Sequence, residues 1–165
     1  MKLLSLIGFF ITLNLSAQVT KVLTIETPAA KPVSISFDNL KTYKLHSLDS
    51  LQVLNHLKQY KSTLKNIKGV LLKDVLEKAQ FGEESPKVLS EYYIICIADD
   101  NYKVVFSWNE LFNSVTGDST LVVTEVNGKP SINQETGIVL ITPTDVATGR
   151  RYVKHLKTIR IERVK

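Results

Sequence analysis

The stretch Tyr92-Tyr-Ile-Ile-Cys-Ile-Ala-Asp-Asp-Asn-Tyr-Lys-Val-Val-Phe-Ser-Trp-Asn-Glu-Leu111 decides the fold. An apolar run rich in β-branched and aromatic residues stops at Asp99-Asp100-Asn101, whose short polar side chains suit a tight turn, and a second apolar run follows. Ser107 with Glu110 three positions on has the form of a capping box that opens a helix. The reading is strand, hairpin, strand, helix. Composition this apolar predicts that both strands lie in the middle of a sheet, buried on both faces.

Toward the N-terminus, Lys21–Glu26 and Lys31–Phe37 alternate as outer strands joined through Pro28 and Pro32, and Ser36 is placed to cap a helical turn over Phe37–Leu40. Tyr43–Leu48 and Leu51–His56 read as extended, Lys58–Lys61 as a polar turn, and Ser62–Ile67 as a returning strand that ends at Gly69. The spacing of Val70, Leu71, Val75, Leu76 and Ala79 predicts a helix that Gly82 ends, and Ser85-Pro86 starts a brief second helix to Ser90. Toward the C-terminus, Thr120–Val126 is a strand, Asn127-Gly128 a tight turn, and Pro130 limits the ladder returning from it. Gly137–Thr142 is a buried strand closed by Pro143, Thr148–Tyr152 a turn or short helix, and Lys154–Val164 a basic final strand. Connections too short for repeated crossovers make this an α+β chain, with a mixed, largely antiparallel sheet or barrel and short scattered helices.

A chain of 165 residues, 44% hydrophobic and 22% charged, supports one well-buried core. Lys2, the apolar stretch Leu3–Leu15 and Ser16-Ala17-Gln18 have the order of a secretory signal, shorter than the ~20 residues of a membrane span. Residues 1–17 are therefore expected to be a signal peptide, cleaved after Ala17 or after Gln18, and residues 18–165 a single exported domain, periplasmic or secreted, with no stable membrane anchor after cleavage. One cysteine excludes an intrachain disulfide and a thiolate-rich zinc site. The net charge of +5 is mild and loses one unit with Lys2. No aromatic-rich basic signature accompanies it, so nucleic acid is not an expected partner.

The residues able to carry chemistry are few. Cys96 shares a strand face with Ile94 and Ala98, the setting of a small hydrophobe and not of a reactive thiolate. Asp99 and Asp100 are turn residues with no base partner. His46, His56 and His155 are too scattered for a metal motif. Arg150, Arg151, Lys154 and Lys157, with His155 among them, form the densest basic patch, either a solvated final strand or an anion site, since guanidinium groups grip phosphate or carboxylate in bidentate fashion. Trp108 is expected to anchor the helix after the hairpin onto the sheet. Nucleophile elbow, P-loop, dinucleotide fingerprint and c-type haem motif are all missing.

Five pieces, in order, resemble the molybdopterin-binding domain of the sulfite-oxidase family: Gly69-Val-Leu-Leu-Lys-Asp-Val-Leu, Ile97-Ala-Asp-Asp-Asn-Tyr-Lys-Val-Val-Phe-Ser, Leu121 to Pro130, Gly137-Ile-Val-Leu-Ile-Thr-Pro, and Arg151-Tyr-Val-Lys-His-Leu-Lys-Thr-Ile. Together they span about residues 32 to 162. The resemblance implies a domain that holds molybdenum through one cysteine thiolate and grips the pterin and its phosphate with Asn, His, Arg and Lys. The implied cysteine falls within Leu51–Gly69, where this chain has none. Val139 stands where cofactor-binding relatives commonly carry Arg, and Tyr152 where the Gly of a Gly-x-Lys ending at Lys154 would be.

The resemblance thus implies a domain that has lost its molybdenum ligand. The former cofactor cleft, around Asn55, His56, Arg151 and Lys154, is expected to bind a small anionic ligand or an envelope protein, with no catalytic residue, no metal and no cofactor. Two alternatives stand beside it. One is a genuine molybdopterin oxidoreductase domain whose metal site is completed by Cys96 or another residue. The other is an envelope interaction or structural module, which exposure of Tyr92, Tyr93, Tyr102 or Trp108 would favour.

Overall fold

A computed structural model describes residues 21–77, 79–82 and 85–165. The expected signal peptide, residues 1–17, lies outside the described residues. Ten strands and four short helices follow in the order β1 (Val22–Glu26), β2 (Val33–Ser36), α1 (Phe37–Leu40), β3 (His46–Leu54), β4 (Tyr60–Leu71), α2 (Leu72–Leu76), α3 (Pro86–Leu89), β5 (Tyr92–Ala98), β6 (Lys103–Ser107), α4 (Trp108–Phe112), β7 (Leu121–Val126), β8 (Lys129–Pro130), β9 (Val139–Ile141) and β10 (Leu156–Arg163). Short 3-10 turns occupy Ser131–Asn133 and Thr148–Arg151. Among the described residues no helix is long and apolar enough to cross a membrane.

The first sheet runs β2-β1-β10-β5-β6, with only β1 and β10 parallel. β5 is interior, as its composition predicts. Tyr92, Ile94, Cys96 and Ala98 face the core, while Tyr93 and Ile95 on the other face are half-buried. β6 corrects the expectation for its half of the hairpin: it is the sheet edge, and Val105 is 52% exposed. Its alternation of Lys103 and Val105 outward with Val104 and Phe106 inward is that of a strand with one wet face. The turn between the strands forms as expected, with Asn101 at φ +68 and Asp100 Oδ1 accepting the Tyr102 amide at 2.9 Å.

The second sheet runs β3-β4-β7, and β8 and β9 share the far edge of β7. At the end of β4, in the first half of β7 and in β9 both faces are apolar. Val70, Val122 and Leu140 join the main core with the first sheet, whereas Leu71, Leu121, Val123, Val139 and Ile141 build a second core behind it. The apolar runs Leu121–Val123 in β7 and Val139–Ile141 in β9 follow from this double burial. Asn66, at φ +46, breaks the two-residue alternation of β4, so that Leu64 and Ile67 both reach the second core. The sheets meet through Leu140, which pairs with Val153 just ahead of β10, and neither sheet closes into a barrel.

The helix expected from Val70 is shorter than its spacing suggests. Val70 and Leu71 finish β4, and α2 starts only at Leu72, whose amide donates to Thr120 O at 2.9 Å. Where a strand is buried on both faces, its continuous apolar run merges with the helical pattern that follows, and period alone does not separate them. Gly82 has the expected left-handed backbone, φ +82. In α4 the fully buried residue is Leu111, while Trp108 is half-buried and stacks on Phe112 at 5.0 Å between ring centroids.

Candidate functional site

Arg151, at the end of the 3-10 turn, is held on three sides. Its Nε and Nη2 donate to the two oxygens of Asp145, the former at 2.8 Å, and Nη1 donates to Glu110 Oε1 at 2.9 Å. The guanidinium lies 4.3 Å above the Phe106 ring. Glu110 is the capping-box residue of α4, and its other oxygen accepts the Ser107 amide at 2.9 Å. The hydrogen bond to Asp145 holds the Arg151 pKa above its ordinary value, with Glu110 adding to it and burial opposing it. Two carboxylates thus face one guanidinium, and the fork that would grip an anion is already engaged.

Asn55 and His56 stand at the β3–β4 hairpin. Asn55 directs its side chain into its own turn: Oδ1 accepts the amides of Leu57 and Gln59, each at 2.9 Å, and Nδ2 donates to Gln59 Oε1 at 2.9 Å. His56 is exposed. The strand end before them does meet the 3-10 turn. Thr148 Oγ1 donates to Gln52 O at 2.6 Å and accepts the Leu54 amide at 2.9 Å, and a Cβ on Gly149 would lie 2.7 Å from Leu54 O. Asn55 and Arg151 therefore belong to touching segments, yet their side chains serve different partners.

Lys154 is exposed, its Nζ 5.6 Å from the centre of the Tyr152 ring. With Ala98, Asp100, Tyr102, Tyr152 and His155 it lines a hollow of about 210 Å³. The Tyr102 hydroxyl closes one side by donating to Arg150 O at 2.6 Å. His155 takes a left-handed backbone, φ +50, donates its amide to Thr136 O at 2.8 Å and accepts from Asp99 at 3.1 Å. Its Nδ1 is buried without a hydrogen-bond partner. Tyr152 packs against the second core, and burial raises its pKa. The ring thus fills space that a glycine would leave open.

The single thiol is sealed. Cys96 is wholly buried in β5, and burial pushes its pKa up to about 12 against a weaker opposing influence from Arg151. A metal-binding thiolate needs the opposite environment, so Cys96 does not fit that role. Among the described residues no group of three or more His, Cys, Asp or Glu is placed to hold a metal ion. Of the four aromatic residues whose exposure would favour an interaction surface, Tyr102 is exposed, Tyr93 and Trp108 are half-buried, and Tyr92 is buried, with its hydroxyl donating to Phe81 O at 2.9 Å. Asp145 and Thr148 escaped sequence reasoning, because neither belongs to a motif and their partners lie far along the chain or across a turn.

No family model matches the sequence, and no curated protein matches it significantly. Solved structures do match. One is the crystal structure of the sulfane dehydrogenase SoxCD from Paracoccus pantotrophus, at 17% identity and a TM-score of 0.59 over 90% of this chain. The match covers 39% of the length of that structure's chain. Two mostly antiparallel sheets with short helices, matched over 90% of the chain, give it the sulfite-oxidase-like fold that its sequence resemblance implies.

Proposed function

We propose that the chain is an exported binding module on a sulfite-oxidase-like fold, working without molybdopterin, that takes a small anion in the hollow beside Lys154. The observation that carries this reading is the placement of Cys96. The chain's one thiol lies inside a sheet with its proton held tightly, and molybdenum ligation through cysteine requires an accessible thiolate. Engagement of Arg151 by Asp145 and Glu110 supports the same conclusion. Ligand pockets for drug-sized molecules run to roughly 300–1,000 Å³, above the ~210 Å³ here, which suits an anion of a few heavy atoms.

Metal analysis and pterin fluorescence on protein recovered from its native compartment test the first half. The expected result is neither molybdenum nor pterin, and stoichiometric amounts of both would overturn the reading. Calorimetric titration with sulfate and with phosphate tests the second half. Binding should be lost in Lys154→Met, and binding of equal strength in that variant would remove the hollow from consideration.

A further inference from the structure

We infer that the β3–β4 hairpin tip is a docking point for an anionic phospholipid surface, separate from the hollow beside Lys154. Leu57 and Tyr60 are 63% and 62% exposed, although they stand only three residues apart in a protein that buries most of its large apolar side chains. The exposure does not come from a loose loop. The Lys58 amide donates to Asn55 O at 2.9 Å, the Asn55 amide to Gln59 O at 3.0 Å, and the Asn55 side chain binds the amides of Leu57 and Gln59. A turn bonded this completely holds Leu57 outward.

Charge selects the partner. Lys58 occupies a left-handed backbone position, φ +60, where Gly or Asn would be less strained. Lys61 follows at the start of β4, also exposed, and the ion pairs among the described residues leave both lysines without a carboxylate. An apolar apex, a tyrosine beside it and two unpaired lysines match a bilayer with anionic headgroups. The leucine enters the acyl boundary, the amphipathic tyrosine sits at headgroup level, and the ammonium groups meet phosphates. A purely acidic surface would satisfy the lysines and leave Leu57 in water. With one inserted leucine and few charges, the association is reversible.

The test places a reporter at the apex. Leu57→Trp in the intact chain is mixed with vesicles of phosphatidylcholine alone or of phosphatidylcholine with phosphatidylglycerol, and emission is read as the difference from the unsubstituted protein, whose only tryptophan is Trp108. The expected result is a blue shift with the anionic vesicles only, weakening about fivefold in affinity for each of Lys58→Gln and Lys61→Gln and fading as salt rises. In a sedimentation assay, Leu57→Ser should reduce the salt-sensitive binding to anionic vesicles that depends on Lys58 and Lys61. No shift, or an equal shift with neutral vesicles, would overturn the inference. So would polyglutamate binding that matches the vesicle affinity and survives Leu57→Ser, since that would assign the tip to an acidic protein. All the substituted side chains are exposed, so folding is not at stake.

Discussion

Arg151 and Glu110 meet at 2.9 Å across the face of Phe106, tying the capping box of α4 to the 3-10 turn that precedes β10. One oxygen of Glu110 caps the helix and the other receives the guanidinium, so a single carboxylate serves both local and tertiary structure. Removing Arg151 leaves Asp145, itself largely buried, facing Glu110 without a counter-charge. Arg151→Ala should destabilise the protein by about 2–4 kcal/mol, the range for breaking a partly buried pair discounted for the exposure of Glu110. Arg151→Lys should recover only part of this, because an ammonium keeps the charge but not the bidentate fork. Urea unfolding of both variants measures the difference, and equal stability of the two would sink the fork argument.

Thr148 stands beside the free edge of β3 where another strand would, its hydroxyl accepting from the Leu54 amide and donating to Gln52 O. Thr148→Val keeps the shape and removes both bonds. The expected loss is about 1–2 kcal/mol, because a donor and an acceptor that are only partly buried lose their partners. Hydrogen exchange checks the mechanism: the Leu54 amide should lose protection before the amides of β5 do.

How much of this was legible in the sequence follows from the range of the interactions. The hairpin at Asp99–Asn101, the capping box of Ser107 and Glu110, and the turn at Asn127-Gly128 are written in neighbouring residues and form as read. The edge position of β6 depends on which strand β5 pairs with across the chain, and nothing within Lys103–Ser107 records that. The same holds for the candidate site. Arg151 stood out as a cation, but its fate is set by Glu110, 41 positions away, and by Asp145 across a 3-10 turn. A basic residue in a sequence reveals its charge and not the carboxylates that the fold brings against it.

Two glycines separate conformational from steric cost. Gly128 lies at φ +71 in the turn joining β7 to β8, and a Cβ there would meet nothing within 4 Å. Gly128→Ala should cost only the left-handed backbone penalty, about 1–2 kcal/mol. Gly117 has an ordinary backbone, but a Cβ would lie 1.7 Å from Leu111 O, which no rotamer relieves. Gly117→Ala should displace the turn after α4 and cost upward of about 3 kcal/mol, at the diagnostic end of single substitutions. Thermal unfolding of the pair should show a modest drop for Gly128→Ala and a severe one for Gly117→Ala, and the reverse order would contradict this packing.

Cys96 gives the chain a pH signature at the alkaline end. Its thiol pKa rises from the ordinary 9.0 to about 12 on folding, because burial disfavours the thiolate. The unfolded chain therefore releases this proton before the native protein does. The associated stability is complete below about pH 9 and is lost as pH climbs from there toward 12, at up to ~1.4 kcal/mol per pH unit. Burial of Tyr152 and the hydrogen bond between Tyr93 and Glu162 raise those pKa values too, so the parent protein and Cys96→Ala should both weaken in alkali. The thiol is isolated by the difference in slope, measured as urea midpoints across pH 8 to about pH 11. A thiol reagent at pH 8 should modify Cys96 only after unfolding. Rapid modification of the folded protein, or identical slopes for the two proteins, would mean that the thiol is accessible, and the case against a metal-binding cysteine in this chain would lose its main support.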